Sequence, residues 1–135
     1  MQIRRAGLIP YIVVNKKVEM MFMMPSDPAY GGSVYQIAKG MIDDGEKELE
    51  AALREASEEL GLNNSNILHN SIIRIGEYND TVFFACNVKN KTDFSEPHYE
   101  TGSVKWMTIP EFLRDGRHIH RQTVNDFLCL LIDSI

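Results

Sequence analysis

Glu55, Glu58 and Glu59 stand at i, i+3 and i+4 in the stretch "LREASEELGL". On a helix that spacing gathers three carboxylates on one side. The arrangement has a local cost. Like charges at these intervals repel by about 0.2–0.5 kcal/mol per pair, and Glu58 and Glu59 crowd the helix C-terminus, where the macrodipole disfavours anions. Arg54 can relieve only part of this. A divalent cation would relieve more, because clustered carboxylates supply the hard oxygen donors that Mg²⁺ and Mn²⁺ take. A solvated acidic face with no ligand is the competing reading of the helix by itself, since Glu is a good helix former.

The helix that must carry these residues is expected over residues 46–60. Leu49, Ala52, Leu53, Ala56 and Leu60 form its buried stripe, with the acidic residues on a different side. Gly61 is a natural stop. Upstream, "GLIPYIVV" (7–14) and "VEMMFMM" (18–24) flank the turn "NKK" as a hairpin. The methionines there read as strand packing. A Pro- and Gly-rich loop leads to a short third strand, "VYQIA" (34–38). Downstream come the strand-like segments 67–78 and 81–88, a polar loop over 89–102 and the strand "SVKWM". A short helix follows, with Thr108 as cap and Pro110 in its first turn, and a closing helix spans 122–135. Helices before, between and after strands predict an α/β layered domain, a single one over residues 1–135.

Bulk properties narrow the function. A net charge of -5 makes nucleic acid a poor default partner, although metal can neutralise a local field enough to hold a phosphorylated ligand. Cys86 and Cys129, both among apolar neighbours, read as reduced core thiols. With no CxxC and no Cys/His pair at ligand spacing, a zinc site is not expected. No apolar run approaches the ~20 residues of a membrane span. The N-terminal "MQIRRAGLIPYIVVNKK" imitates a signal peptide, but Pro10 interrupts it and Lys16 and Lys17 follow it without a small-residue cleavage site. It is expected to be a strand, and the protein cytoplasmic.

The longer spacing adds to the helix. Gly40, five residues, Glu46, seven residues, Arg54-Glu55, then Glu58-Glu59, Gly61 and Leu62 resemble the Nudix hydrolase (MutT-like) signature Gx5Ex7REUxEExGU, where U is a bulky apolar residue. Ala56, at the first U, is smaller than usual, a departure that touches packing rather than chemistry. The resemblance implies an α/β/α sandwich with a mixed β-sheet. It also implies Mg²⁺-dependent (or Mn²⁺-dependent) hydrolysis of a nucleoside diphosphate linked to a further moiety by activated water. By the same resemblance, Glu55, Glu58, Glu59 and the Lys39 backbone carbonyl are the metal ligands. Arg54 orients the acidic cluster, Glu46 holds the loop-to-helix geometry, and Gly40 and Gly61 permit close backbone shapes. The general base is a glutamate of the motif or one on a later loop. "EPHYETGSVKW" offers Glu96 and Glu100, and Glu100, just ahead of a strand, is the stronger candidate. His98 beside it reads as an exposed loop residue.

The substrate is less legible. "QIAKG" is similar to the "PPKG" lead-in of dinucleoside polyphosphate hydrolases, with Ala38 in place of a proline. Tyr78 lies where several such enzymes place a base-stacking tyrosine. Lys39, Tyr78 and Tyr35 are the substrate-binding candidates. The resemblance points to a dinucleoside polyphosphate such as diadenosine tetraphosphate. ADP-ribose or a nucleotide sugar, flavin dinucleotide, a nucleoside triphosphate and an RNA 5′ end remain open, as does a non-catalytic nucleotide-binding module. "RDGRHIHR" (114–121) is a basic cluster that reads as a surface helix junction. Monomer and homodimer are both open.

Overall fold

The computed structural model describes residues 2–133. Its main elements in chain order are β1 (Arg5–Val14), β2 (Lys17–Pro25), β3 (Ala38–Met41), α1 (Glu48–Leu60), β4 (Ile73–Tyr78), β5 (Thr81–Asn87), β6 (Thr101–Thr108), α2 (Ile109–Asp115) and α3 (Arg121–Asp133). The strands form one mixed sheet in the order β4-β5-β1-β2-β6, with β3 paired to β1 off that path.

A fork in this sheet positions the site. β1 and β2 leave a turn in which Asn15 and Lys16 both take positive φ, and they pair antiparallel over residues 11–14 and 17–20. They then part. The first half of β1 takes β3, from Arg5↔Met41 to Leu8↔Ala38, while β2 continues against β6. β3 therefore lies in the fork. Pro10 falls between the β3-paired and β2-paired stretches of β1, a break in the ladder where a missing N–H is tolerated. On its other edge β1 runs parallel to β5.

Helices cover both faces of the sheet, so its central strands are apolar on both sides rather than alternating. In β2, Met21 and Met23 join the core under α1, with Ala52, Ala56, Leu60 and Val82. Met20 and Phe22 point to the other core, with Phe112, Val124 and Phe127 of α2 and α3. Phe22 and Phe112 stack there with centroids 4.1 Å apart. The run "MMFMM" is strand packing, and the layers are those of an α/β/α sandwich.

Several boundaries differ from the sequence-based expectation. Residues 34–37 are not a strand. Only Gln36 bridges to Met23, and regular pairing starts at Ala38, where the chain enters the fork. Residues 67–72 form a bridge and a 3₁₀ turn before β4 begins at Ile73. α1 starts at Glu48 rather than Glu46. Glu50 accepts from the Lys47 N–H at 2.9 Å, one half of a capping box, since the Lys47 ammonium cannot accept in return, and Glu46 turns back to the preceding loop. Cys86 is buried as expected, but Cys129 is exposed on the outer side of α3. Of the closing helix, residues 134 and 135 lie outside the described residues.

Candidate active site

Lys39 and Gly40, in β3, face α1. The Lys39 N–H donates to Glu59 Oε1 at 3.0 Å, so this N–H points away from β1. A strand residue's N–H and C=O point to the same edge, which turns the Lys39 carbonyl toward the same side. Gly40 leaves room for the next carboxylate, because a Cβ there would overlap the Glu55 side chain. Glu55 is only 9% exposed. It stands on the buried face of α1 rather than on a solvated side, and the absence of a side chain on Gly40 makes this possible.

Glu55, Glu59 and Glu100 line one cavity of about 390 Å³, with Lys39 and Gly40 as part of its wall. Glu100 reaches it because the loop after β5 is stitched to the end of α1. Gly61, at φ +76°, sits so close to Ser95 that a Cβ would overlap the Ser95 carbonyl. Its own carbonyl accepts the Ser95 N–H at 2.7 Å. The Glu58 carbonyl accepts the His98 N–H at 2.8 Å, and the Glu59 carbonyl accepts the Thr101 hydroxyl at 2.7 Å. These bonds satisfy carbonyls that a helix end leaves without partners.

Arg54 organises the other side. Its Nε and Nη2 hold both Glu46 oxygens at 2.9 and 3.0 Å, the bidentate geometry that suits a guanidinium. Nη1 donates to Glu55 at 2.9 Å and lies 3.4 Å from both Glu58 oxygens, while Nη2 also meets the Met41 carbonyl at 2.9 Å. Glu46 in turn accepts the Asp43 N–H at 3.0 Å, fixing the loop before α1.

The electrostatics record how costly these carboxylates are. Burial pushes Glu59 up to about 8, against the opposing Lys39 N–H and with added repulsion from Glu55 and Glu100. Burial also raises Glu55, although Arg54 opposes it. Among the described residues, no three His, Cys, Asp or Glu side chains already converge as a ready ligand set. Arg54 draws Glu55 and Glu58 while the Lys39 N–H holds Glu59.

The remaining candidates separate. Glu58 is half-buried against Arg54 and does not line the cavity, and Glu96 and His98 are exposed on the loop. Tyr35 lies apart from the carboxylates. Its hydroxyl pairs with Ser103 Oγ at 2.9 Å and its ring meets Lys105. Tyr78 lines a second cavity of about 400 Å³, which shares Arg5, Tyr30 and Lys39 with the first and also includes Arg117 and His120. Its hydroxyl donates to Asp126 at 2.5 Å and its ring tilts against Phe83. Arg5, Tyr30 and Arg117 are not among the sequence candidates. Arg5 lies in the N-terminal strand stretch and Arg117 in the basic cluster 114–121.

A model of the NUDIX domain matches residues 8–127. The chain belongs to the Nudix family. Nudix hydrolases act on pyrophosphate bonds and use divalent metal ions. Nudix hydrolase 6 of Arabidopsis thaliana is 26% identical over 115 residues, 81% of this chain. The chain spans 41% of the length of that relative. Among solved structures, the Ap4A hydrolase of C. elegans in a binary complex has a TM-score of 0.77 at 21% identity, covering 96% of this chain and 99% of that one. The NUDIX domain of Shewanella oneidensis NrtR, complexed with ADP ribose, has a TM-score of 0.72 at 13% identity, covering 97% of this chain and 89% of that one. At these identities the likeness is one of fold. No helix among the described residues is long and apolar enough to cross a membrane.

Proposed function

We propose that this Nudix protein is a metal-dependent pyrophosphohydrolase acting on a dinucleoside polyphosphate of the diadenosine tetraphosphate kind. The observation that carries the reading is the burial of Glu55 beside Gly40, with half-buried Glu59 and with Glu100 lining the same cavity. A fold that buries carboxylates without full compensation gains from a cation there. The donors fit a hard divalent ion such as Mg²⁺: Glu55, Glu58, Glu59 and the Lys39 carbonyl would hold it. When bound, the ion neutralises phosphate charge and makes water nucleophilic at neutral pH. Arg54 orients Glu55 and Glu58 and opposes the effect of burial on Glu55. Glu100, exposed and lining the same cavity, would take the proton of the attacking water. The Lys39 ammonium meets phosphate oxygens, and the Tyr78 ring offers a face to a base.

The end-to-end likeness of the fold to the C. elegans Ap4A hydrolase and the Tyr78 position support the substrate class. The test is hydrolysis of a panel with Mg²⁺: diadenosine tri- and tetraphosphate, ADP-ribose, flavin dinucleotide and nucleoside triphosphates, with a chelator control. Preferred cleavage of the tetraphosphate is expected, and preference for ADP-ribose would overturn the substrate assignment. Glu58→Gln should abolish turnover in a folded protein, whereas retained turnover would remove Glu58 from the metal site. Tight nucleotide binding without product under saturating Mg²⁺ or Mn²⁺ would instead mark a non-catalytic module.

A further inference from the structure

The cleft has two halves of opposite charge. Arg5, Tyr30 and Lys39 line both cavities, so the acidic cavity opens directly onto the second one, which Arg117 and His120 also border. Three cations thus share one partly buried wall. Asp80 compensates Arg5 at 2.6 Å. Lys39 lines both cavities and Arg117 the second, so the two cations border one space. The His120 ring, 2% exposed, accepts the Ile37 N–H on Nδ1 at 3.1 Å. It is therefore neutral with its proton on Nε2, a donor rather than a counter-charge.

Arg117 is fixed in this wall rather than free at the surface. Its Nη1 donates to Gln36 Oε1 at 2.6 Å, and Gln36 Nε2 donates to the Tyr30 carbonyl at 2.9 Å. The Arg117 N–H donates to the Tyr35 carbonyl at 2.9 Å. Gln36 is itself buried, 4% exposed. It is a positioning residue that joins the loop carrying Tyr30 to the junction carrying Arg117. Held cations with incomplete compensation are complementary to an extended polyanion.

We propose that the basic half of the cleft, Arg117 and Arg5 together with Lys39, binds phosphate groups beyond the bond that is cleaved. It thereby favours small nucleotides with a chain of three or more phosphates over those with two. This rests on the acidic half being the hydrolytic site, and it adds the feature that reads chain length.

The test is calorimetric titration of the full chain, with Mg²⁺ present, against methylene-bridged analogues of tripolyphosphate and pyrophosphate. Arg117→Gln should weaken the triphosphate analogue about 10-fold or more, the loss expected for one charge-assisted hydrogen bond, and the diphosphate analogue clearly less. Arg117→Lys, which keeps the charge, should recover part of the difference, and thermal melting confirms that both variants fold. Triphosphate affinity unchanged within about twofold, or equal weakening of both analogues, overturns the subsite. Binding is read without turnover, so the two readings fail separately. A flat affinity series with normal pyrophosphohydrolase activity removes only the subsite. An intact affinity series with no turnover on any nucleotide removes only the hydrolase reading.

Discussion

Glu59→Gln should stabilise the metal-free protein while ending its metal-dependent activity. Among the described residues the Glu59 carboxylate has one protein donor, the Lys39 N–H, and Glu55 and Glu100 repel it. Its folded-state value of about 8 against an ordinary 4.5 fixes the sign. A raised carboxylate costs nothing below pH 4.5 and an increasing amount as pH rises toward 8. At about 1.4 kcal/mol per pH unit the penalty reaches about 3 kcal/mol at pH 7, an upper limit because neighbouring carboxylates share the protons. Gln keeps an oxygen for the Lys39 N–H and removes the charge. For a chain of 135 residues the expected gain in Tm is up to about 10 °C at pH 7. It should vanish below about pH 4.5, where residue 59 is uncharged in both folded proteins. The assay is thermal melting in chelator across this pH range, repeated with Mg²⁺, which should raise the Tm of the parent and not that of the variant. A variant that melts lower than the parent at pH 7, or a difference that does not change with pH, would refute the electrostatic account.

Other substitutions test the supporting parts. Gly40→Ala drives a methyl into the Glu55 carboxylate. It should cost about 1–3 kcal/mol in denaturant melts and lower kcat about 100-fold by displacing a proposed metal ligand by about an ångström. Arg54→Lys cannot hold Glu46 with two bonds while also reaching Glu55 and the Met41 carbonyl, so Mg²⁺ affinity by calorimetry should fall about 10-fold. His120, which burial pushes down to about 3, is neutral in the folded protein. Its contribution is present above pH 6.5 and is lost as pH falls from 6.5 toward 3, by at most about 3 kcal/mol at pH 4.5. His120→Asn, whose Oδ1 can still accept the Ile37 N–H, should flatten that part of the stability profile.

The layers of the fold could be read in advance because they are written in local pattern: the apolar stripe of α1, the turn at Asn15 and Lys16, the Thr108 cap. Pairing could not. The fork between β1 and β2 is set by which distant segment fills it, and nothing within residues 34–41 says that regular pairing begins at Ala38 rather than at Val34. Cys129 failed for a similar reason. Its neighbours Phe127 and Leu128 pack inward, but helical geometry turns Cys129 itself outward.

The two halves of the cleft differ in legibility for the same physical reason. The acidic half is concentrated on one helix, so its strained spacing shows in a single window of sequence. Even so, the burial of Glu55 depends on Gly40 across the gap to β3. The basic half draws Arg5 from β1, Tyr30 from a loop, Lys39 from β3 and Arg117 from the junction before α3, and no local pattern joins them. Each half leaves like charges incompletely paired, the carboxylates around Glu59 and the cations around Lys39. On the proposed reading, a cation in the acidic half and a phosphate chain across both would compensate the two excesses together. Metal and nucleotide should then bind with positive coupling: Mg²⁺ affinity measured with a non-hydrolysable nucleotide present should exceed that measured alone, and the nucleotide should gain by the same factor.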